Sequence, residues 1–233
     1  MGNRRLHFGE TIAFAKRAPR RSDSPRPRQP TKSAPPERVQ LSRLADLGFH
    51  WDRHARRATV EPHSRKKVDT VTLSEAVSVL RILDCKELDL THCDSLKNVD
   101  SLKELRALTI LNLSICSNLQ NVDGLKGLTA LTHLELLGCR SLQNFDGLKG
   151  LTALTSLNLV LCDSLQNVDG LKELTALAHL ELSRCSNLQN VDGLKEARAL
   201  TSLYLRGCPK ISAGDIQALK VALTKAKIES SNY

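Results

Sequence analysis

The chain of 233 residues is poor in aromatics: one Trp, two Tyr and four Phe, 3% in all. That excludes a base-stacking platform for single-stranded nucleic acid, which needs aromatic faces in series. No segment approaches the ~18 consecutive apolar residues of a membrane-spanning helix. The first residues lack the roughly 7–15-residue apolar core of a secretory signal. These absences lead us to expect a soluble, cytoplasmic protein. Apolar residues are nonetheless plentiful, at 41%, enough for a sizeable core, and the 25% of charged residues is ordinary.

The net charge of +9 is unevenly spread. Residues 1–67 hold 17 Lys and Arg against 6 Asp and Glu, whereas residues 68–233 hold 17 against 19. A basic leader therefore precedes a near-neutral body, and such a split suggests two parts with different partners. Six of the eight prolines fall in the first 40 residues, beside the pairs Arg4–Arg5 and Arg20–Arg21. Apolar side chains there are too sparse to offset the entropy of ordering, so residues 1–37 read as a disordered Pro/Arg-rich leader. An organelle-targeting peptide, an export signal of a secreted effector and a nucleic-acid-binding arm are its sharper readings. Met1–Gly2–Asn3 does not extend to a myristoylation motif, which needs Ser or Thr where Leu6 stands.

Residues 38–84 read as an N-terminal capping region with a basic patch. Leu41, Leu44 and Leu47 recur at helical spacing, and Gly48 ends that helix ahead of Phe49 and Trp51. Arg53, Arg56, Arg57, Arg65 and Lys67 form a basic run with His54 and His63. The run reads as a solvated face rather than a phosphate-binding patch, because no nucleic-acid motif accompanies it. His50, His54 and His63 lack Cys or carboxylate partners at zinc spacing. Ser74–Glu75 before Ala76, Val79, Leu80 and Leu83 predicts a helix capped at Ser74.

Self-comparison organises the remainder. Cysteines fall at 93, 116, 139, 162, 185 and 208, every step being 23 residues. Segments beginning at Cys85, Leu108, Leu131, Leu154, Leu177 and Leu200 each read close to L-x-x-L-x-L-x-x-C-x-x-L-x-N-V-D-G-L-K-x-L. Six such units cover residues 85–222, and residues 223–233 complete a C-terminal cap. The first and last units deviate, as the ends of a stacked array must. The pattern resembles the leucine-rich-repeat family, in a cysteine-containing variant whose short back half is similar to compact bacterial and protist repeats. The resemblance implies an α/β fold: a right-handed solenoid with a concave parallel β-sheet and short helical or 3₁₀ turns on the convex side. It also implies a non-catalytic protein–protein interaction scaffold.

Within L-x-L the side chains alternate faces, which turns Leu111 and Leu113 inward around an outward Asn112. Strands are expected at Leu88–Leu90, Leu111–Leu113 and their four successors. Asp123, Asp146, Asp169 and Asp192 are expected to cap short helical turns, and the Asn98, Asn121, Asn144, Asn167 and Asn190 column to bond turn backbones. Ser212 is expected to start a helix to about Leu223, with Lys227–Glu229 returning as an edge strand. The thiol column reads as small buried residues, reduced and without metal, because a line of thiols does not converge on one ion.

Three outward rows differ between copies where the core columns repeat. The first is Glu87, Ile110, His133, Ser156, His179, Ser202. The second is Asp89, Asn112, Glu135, Asn158, Glu181, Tyr204. The third is Thr91, Ser114, Leu137, Val160, Ser183, Arg206. Leu137 and Val160, with Leu161, give an apolar centre among polar neighbours, the composition of an interface. Glu135, Asn158, Glu181, His133 and His179 complete the candidate partner-binding set. His133 with Glu135 and His179 with Glu181 lie two coils apart, about 10 Å by strand spacing, and Ser156 between them has no oriented base. No catalytic residue, metal or cofactor is therefore assigned. The expectation is a monomer binding a protein partner on its concave sheet; the alternative is a nucleic acid or acidic surface held by residues 1–67.

Overall fold

The computed structural model describes residues 37–143 and 145–230. These described residues form one compact unit. The leader reading of residues 1–37 lies outside the described residues, Glu37 excepted.

The N-terminal cap begins with helix α1 (Glu37–Asp46), which buries Gln40 and Leu44. Gly48 ends it at φ +83°, and a Cβ there would come within 2.4 Å of the Ser64 side chain. Strands β1 (Phe49–Asp52) and β2 (Arg57–Val60) follow as an antiparallel hairpin. Asp52 Oδ1 accepts from the amides of His54 and Ala55 to shape its turn. Helix α2 (Thr70–Ile82) is capped by Asp69, whose Oδ1 accepts from Thr72 N at 2.8 Å. Ser74, the expected cap, lies inside the helix; the cap falls five residues earlier because Thr70–Leu73 continue the apolar face, Leu73 being fully buried.

Six three-residue strands then repeat at the 23-residue step: β3 (Glu87–Asp89), β4 (Ile110–Asn112), β5 (His133–Glu135), β6 (Ser156–Asn158), β7 (His179–Glu181) and β8 (Ser202–Tyr204). They pair in parallel and in register, so that Leu88, Leu111, Leu134, Leu157, Leu180 and Leu203 stack. Each strand sits one residue earlier than expected, centred on the first leucine of L-x-L. The ladder nevertheless runs on, since Leu90 N donates to Asn112 O at 2.8 Å and His92 N to Ser114 O at 2.9 Å. The hairpin joins the same sheet through a parallel β2–β3 pairing, an element the repeat pattern does not announce. At the far end Ser212 caps α3 (Ala213–Ala222) in a reciprocal capping box with Asp215, and β9 (Lys227–Glu229) closes the sheet. The result is a nine-stranded sheet in sequential order, parallel except for its first pair.

The convex side carries short 3₁₀ turns at Asp100–Glu104, Asp123–Leu125, Asp146–Leu148, Asp169–Leu171 and Asp192–Glu196. The aspartates open these turns but do not cap them through their side chains. The cap is the asparagine two residues earlier: Asn98, Asn121, Asn167 and Asn190 each accept the following Asp amide, at 2.8–3.3 Å. Asn144 is outside the described residues. Between sheet and turns lies one leucine-rich core with almost every member fully buried. The architecture is a right-handed solenoid with a concave sheet.

Candidate interaction surface

The concave face is built by the residues that flank each buried strand leucine. The register sets His133, Ser156 and His179 side by side, and likewise Glu135, Asn158 and Glu181. His133 and His179 are exposed, while the second row is half-buried. His133 Nδ1 lies 2.9 Å from Thr132 Oγ1. Ser156 separates the two histidines, and among the described residues no group of three or more His, Cys, Asp or Glu could hold a metal.

The second row does work that its variability concealed. Asp89, Asn112, Asn158 and Glu181 each accept the amide two residues ahead, that of Thr91, Ser114, Val160 and Ser183, at 2.9–3.1 Å. One oxygen of Asn158 and of Glu181 is thereby committed to the turn, which leaves the amide donors of Asn158 and the second oxygen of Glu181 outside these bonds. The common signal was an acceptor side chain, Asp, Asn or Glu, at a fixed position ahead of a turn.

Leu137 and Val160 occupy the third row on adjacent coils, which are tied there by the ladder bond from Gly138 N to Val160 O at 2.7 Å. Both side chains are half-buried rather than fully outward. Leu161 does not belong to the strand face. It stands at φ +61° in a turn position shared with His92, Ile115, Gly138, Arg184 and Gly207, all between φ +60° and +70°. Each coil thus needs one left-handed residue where the chain leaves the sheet, and its amide reaches the next coil's carbonyl. The glycines at 138 and 207 were the sequence signal for this column.

The thiols form a separate, internal column. Cys116, Cys139, Cys162, Cys185 and Cys208 donate Sγ–H to Leu90 O, Leu113 O, Leu136 O, Leu159 O and Leu182 O at 3.1–3.3 Å. Each coil's cysteine thus adds a second donor to a carbonyl of the coil before it: Leu90, Leu113, Leu136 and Leu159 O already accept the amides of Cys93, Cys116, Cys139 and Cys162. All seven cysteines are free and buried. Desolvation pushes Cys85, Cys93, Cys139 and Cys185 up to about 12, and Cys116, Cys162 and Cys208 upward as well. Protonated thiols of this kind are poor nucleophiles and poor metal ligands.

On the convex side Lys149 and Lys195 pair with Asp146 and Asp192 at 2.7 and 2.6 Å. Hydrogen bonding to Lys149 holds the Asp146 carboxyl below its usual range. Such exposed pairs contribute little to stability. The most exposed large aliphatics are elsewhere: Val71 on α2, Val221 on α3, and Val39 and Ile82 beside the hairpin. None was singled out from the sequence.

No family model matches the chain, and no curated protein matches it. Among solved structures, an internalin C2 from Listeria monocytogenes is similar over 81% of this chain and 84% of its own, at 22% identity and a TM-score of 0.54. The functional domain of InlJ from Listeria monocytogenes, described as including a cysteine ladder, aligns over 58% of this chain and 31% of its own, at 24% identity and a TM-score of 0.40. Together with the six in-register coils, the likeness to internalin C2 identifies the architecture: the chain has the leucine-rich-repeat fold.

Proposed function

We propose that the chain is a non-catalytic interaction scaffold that docks a protein partner across the central coils of its concave sheet. The observation that carries this reading is the juxtaposition of Leu137 and Val160. They are adjacent aliphatic side chains at positions where the other four coils place Thr91, Ser114, Ser183 and Arg206. Glu135, the amide of Asn158 and the free oxygen of Glu181 surround them, with His133 and His179 along the outer row; Leu161 contributes from the turn. Because both aliphatics are half-buried, covering them would supply on the order of 1–3 kcal/mol together, less than two fully outward side chains would give. The anchor therefore suits a modest-affinity contact unless polar neighbours add to it. The proposal includes a monomer in a reducing, cytoplasmic setting, supported by seven free thiols.

The full-length chain with Leu137→Asp and Val160→Asp should lose partner capture while remaining folded. Lys126→Glu on the convex side should capture normally. Capture that survives about 0.5 M salt supports the apolar concave contact, since a phosphate-driven contact through the basic N-terminal residues weakens steeply with salt. A double variant that binds as the parent does would refute the reading.

A further inference from the structure

The cap holds a polar feature that the scaffold does not use. Gln40, on α1, is 1% exposed, and neither its Oε1 nor its Nε2 has a hydrogen-bond partner. Trp51 Nε1, on β1, is buried and equally unpartnered. Leaving such groups unpaired costs about 1–3 kcal/mol each. A leucine or methionine at position 40 would avoid that cost in a core otherwise made of aliphatic side chains, two phenylalanines and thiols. Both residues line one pocket of about 400 Å³, where Ile82 and Leu83 at the end of α2 give apolar wall, Arg53 and Arg56 bring guanidinium groups and Glu37 brings one carboxylate. That volume is within the range of small ligand sites.

The unpaired atoms define what fits. Gln40 Nε2 and Trp51 Nε1 offer donors, and Gln40 Oε1 offers an acceptor. A peptide group meets both needs, its carbonyl taking a donor and its N–H reaching the acceptor. Arg53 pairs with Glu37 at 2.9 Å and Arg56 with Asp84, but each guanidinium carries five donors and retains several. Residues 37–67 hold eight Lys and Arg against four Asp and Glu. We propose that this pocket binds a short acidic peptide segment of a protein partner, with a backbone amide on Gln40 and Trp51 and a carboxylate at Arg53 and Arg56. The chain's own residues 1–36 carry nine Lys and Arg against two Asp and Glu, the wrong sign for that rim.

Trp51 is the only tryptophan, so its fluorescence reports on the pocket directly. The probe is N-acetyl-Glu-Glu-amide titrated into the full-length chain. A saturable change in Trp51 emission is expected, with no response to N-acetyl-Lys-Lys-amide. Gln40→Met fills the same volume without the amide and should weaken binding about tenfold or more while keeping the parent's thermal midpoint or raising it. Arg53→Gln, at an exposed position, should weaken it several-fold and remove the preference for acid. No saturable response, an equal response to the lysine peptide, or unchanged affinity in Gln40→Met would overturn the proposal. So would displacement of the acidic probe by a synthetic copy of residues 20–36, which would give the pocket to the chain's own leader.

Discussion

Ile115 shows how a residue can be placed by the coil against its own preference. A β-branched side chain at φ +60° strains against its backbone, by roughly 1–2 kcal/mol. The same turn position is glycine at 138 and 207. Ile115→Gly removes the strain but adds roughly 0.4–1 kcal/mol of freedom to the unfolded chain. The net expectation is a gain of about 0.5–1 kcal/mol, visible as a higher urea midpoint at unchanged slope. A loss of stability would mean that the Ile115 side chain packs more productively than its half-burial suggests. At this same scale the sequence was partly misleading. Asn112 and Asn158 read as free outward groups because they vary between copies. Apart from Tyr204 in the last coil the row varies within a narrow set, Asp, Asn and Glu, and four of its members accept the amide two residues on. Leu161, named with Leu137 and Val160 in the apolar centre, stands instead at the left-handed turn position, which its residue type does not announce.

The coil is the element, and its glycines show how tightly coils approach. A Cβ built on Gly124 would lie 1.9 Å from Val99 O, and one on Gly147 1.9 Å from Val122 O. At Gly170 the nearest atoms of Phe145 are 3.1 Å away. Phe145 occupies a column that is otherwise Val99, Val122, Val168 and Val191, and the next coil is also looser, a Cβ on Gly193 lying 2.8 Å from Val168 O. Gly124→Ala or Gly147→Ala should therefore force the backbones apart and cost about 1–3 kcal/mol or more. Gly170→Ala should lie within about 1 kcal/mol of the parent. Thermal unfolding of the three variants checks this; equal losses at all three would contradict the spacing argument. The 23-residue step made these coils legible, down to the Ser212 cap and the Lys227–Glu229 edge strand, because each leucine column needs its counterpart one coil away. The β1–β2 hairpin was not legible. It occurs once, its strands are four residues long, and its parallel join to β3 is a long-range contact that no local pattern encodes. The Asn caps were expected to bond turn backbones and do, while the Asp column fell one role short because it lies already inside the turn.

At the scale of the whole molecule, the thiol column ties stability to pH. An unfolded thiol titrates near 9, whereas burial holds several of these near 12. The folded chain therefore keeps protons that the unfolded chain releases. Stability is fully present below pH 9 and falls as pH rises from 9 towards 12, by up to ~1.4 kcal/mol per thiol per unit across that window. Urea midpoints at pH 8, 9.5 and 10.5 should drop with increasing steepness, and Cys139→Ser, whose hydroxyl stays neutral in both states, should lessen the drop by one proton's share. A flat profile would show that the thiols titrate alike in both states. A molecule held by such a continuous core presents its concave face as one rigid surface.

That face is tested most directly by hydrogen exchange on the full-length chain, alone and with its captured partner bound. Docking on the concave centre predicts slowed exchange confined to residues 133–138, 156–161 and 179–184, with the 3₁₀ turns at 100–104, 123–125 and 192–196 unchanged. Protection on those turns, with the central strands unaffected, would contradict it and place the partner on the convex side.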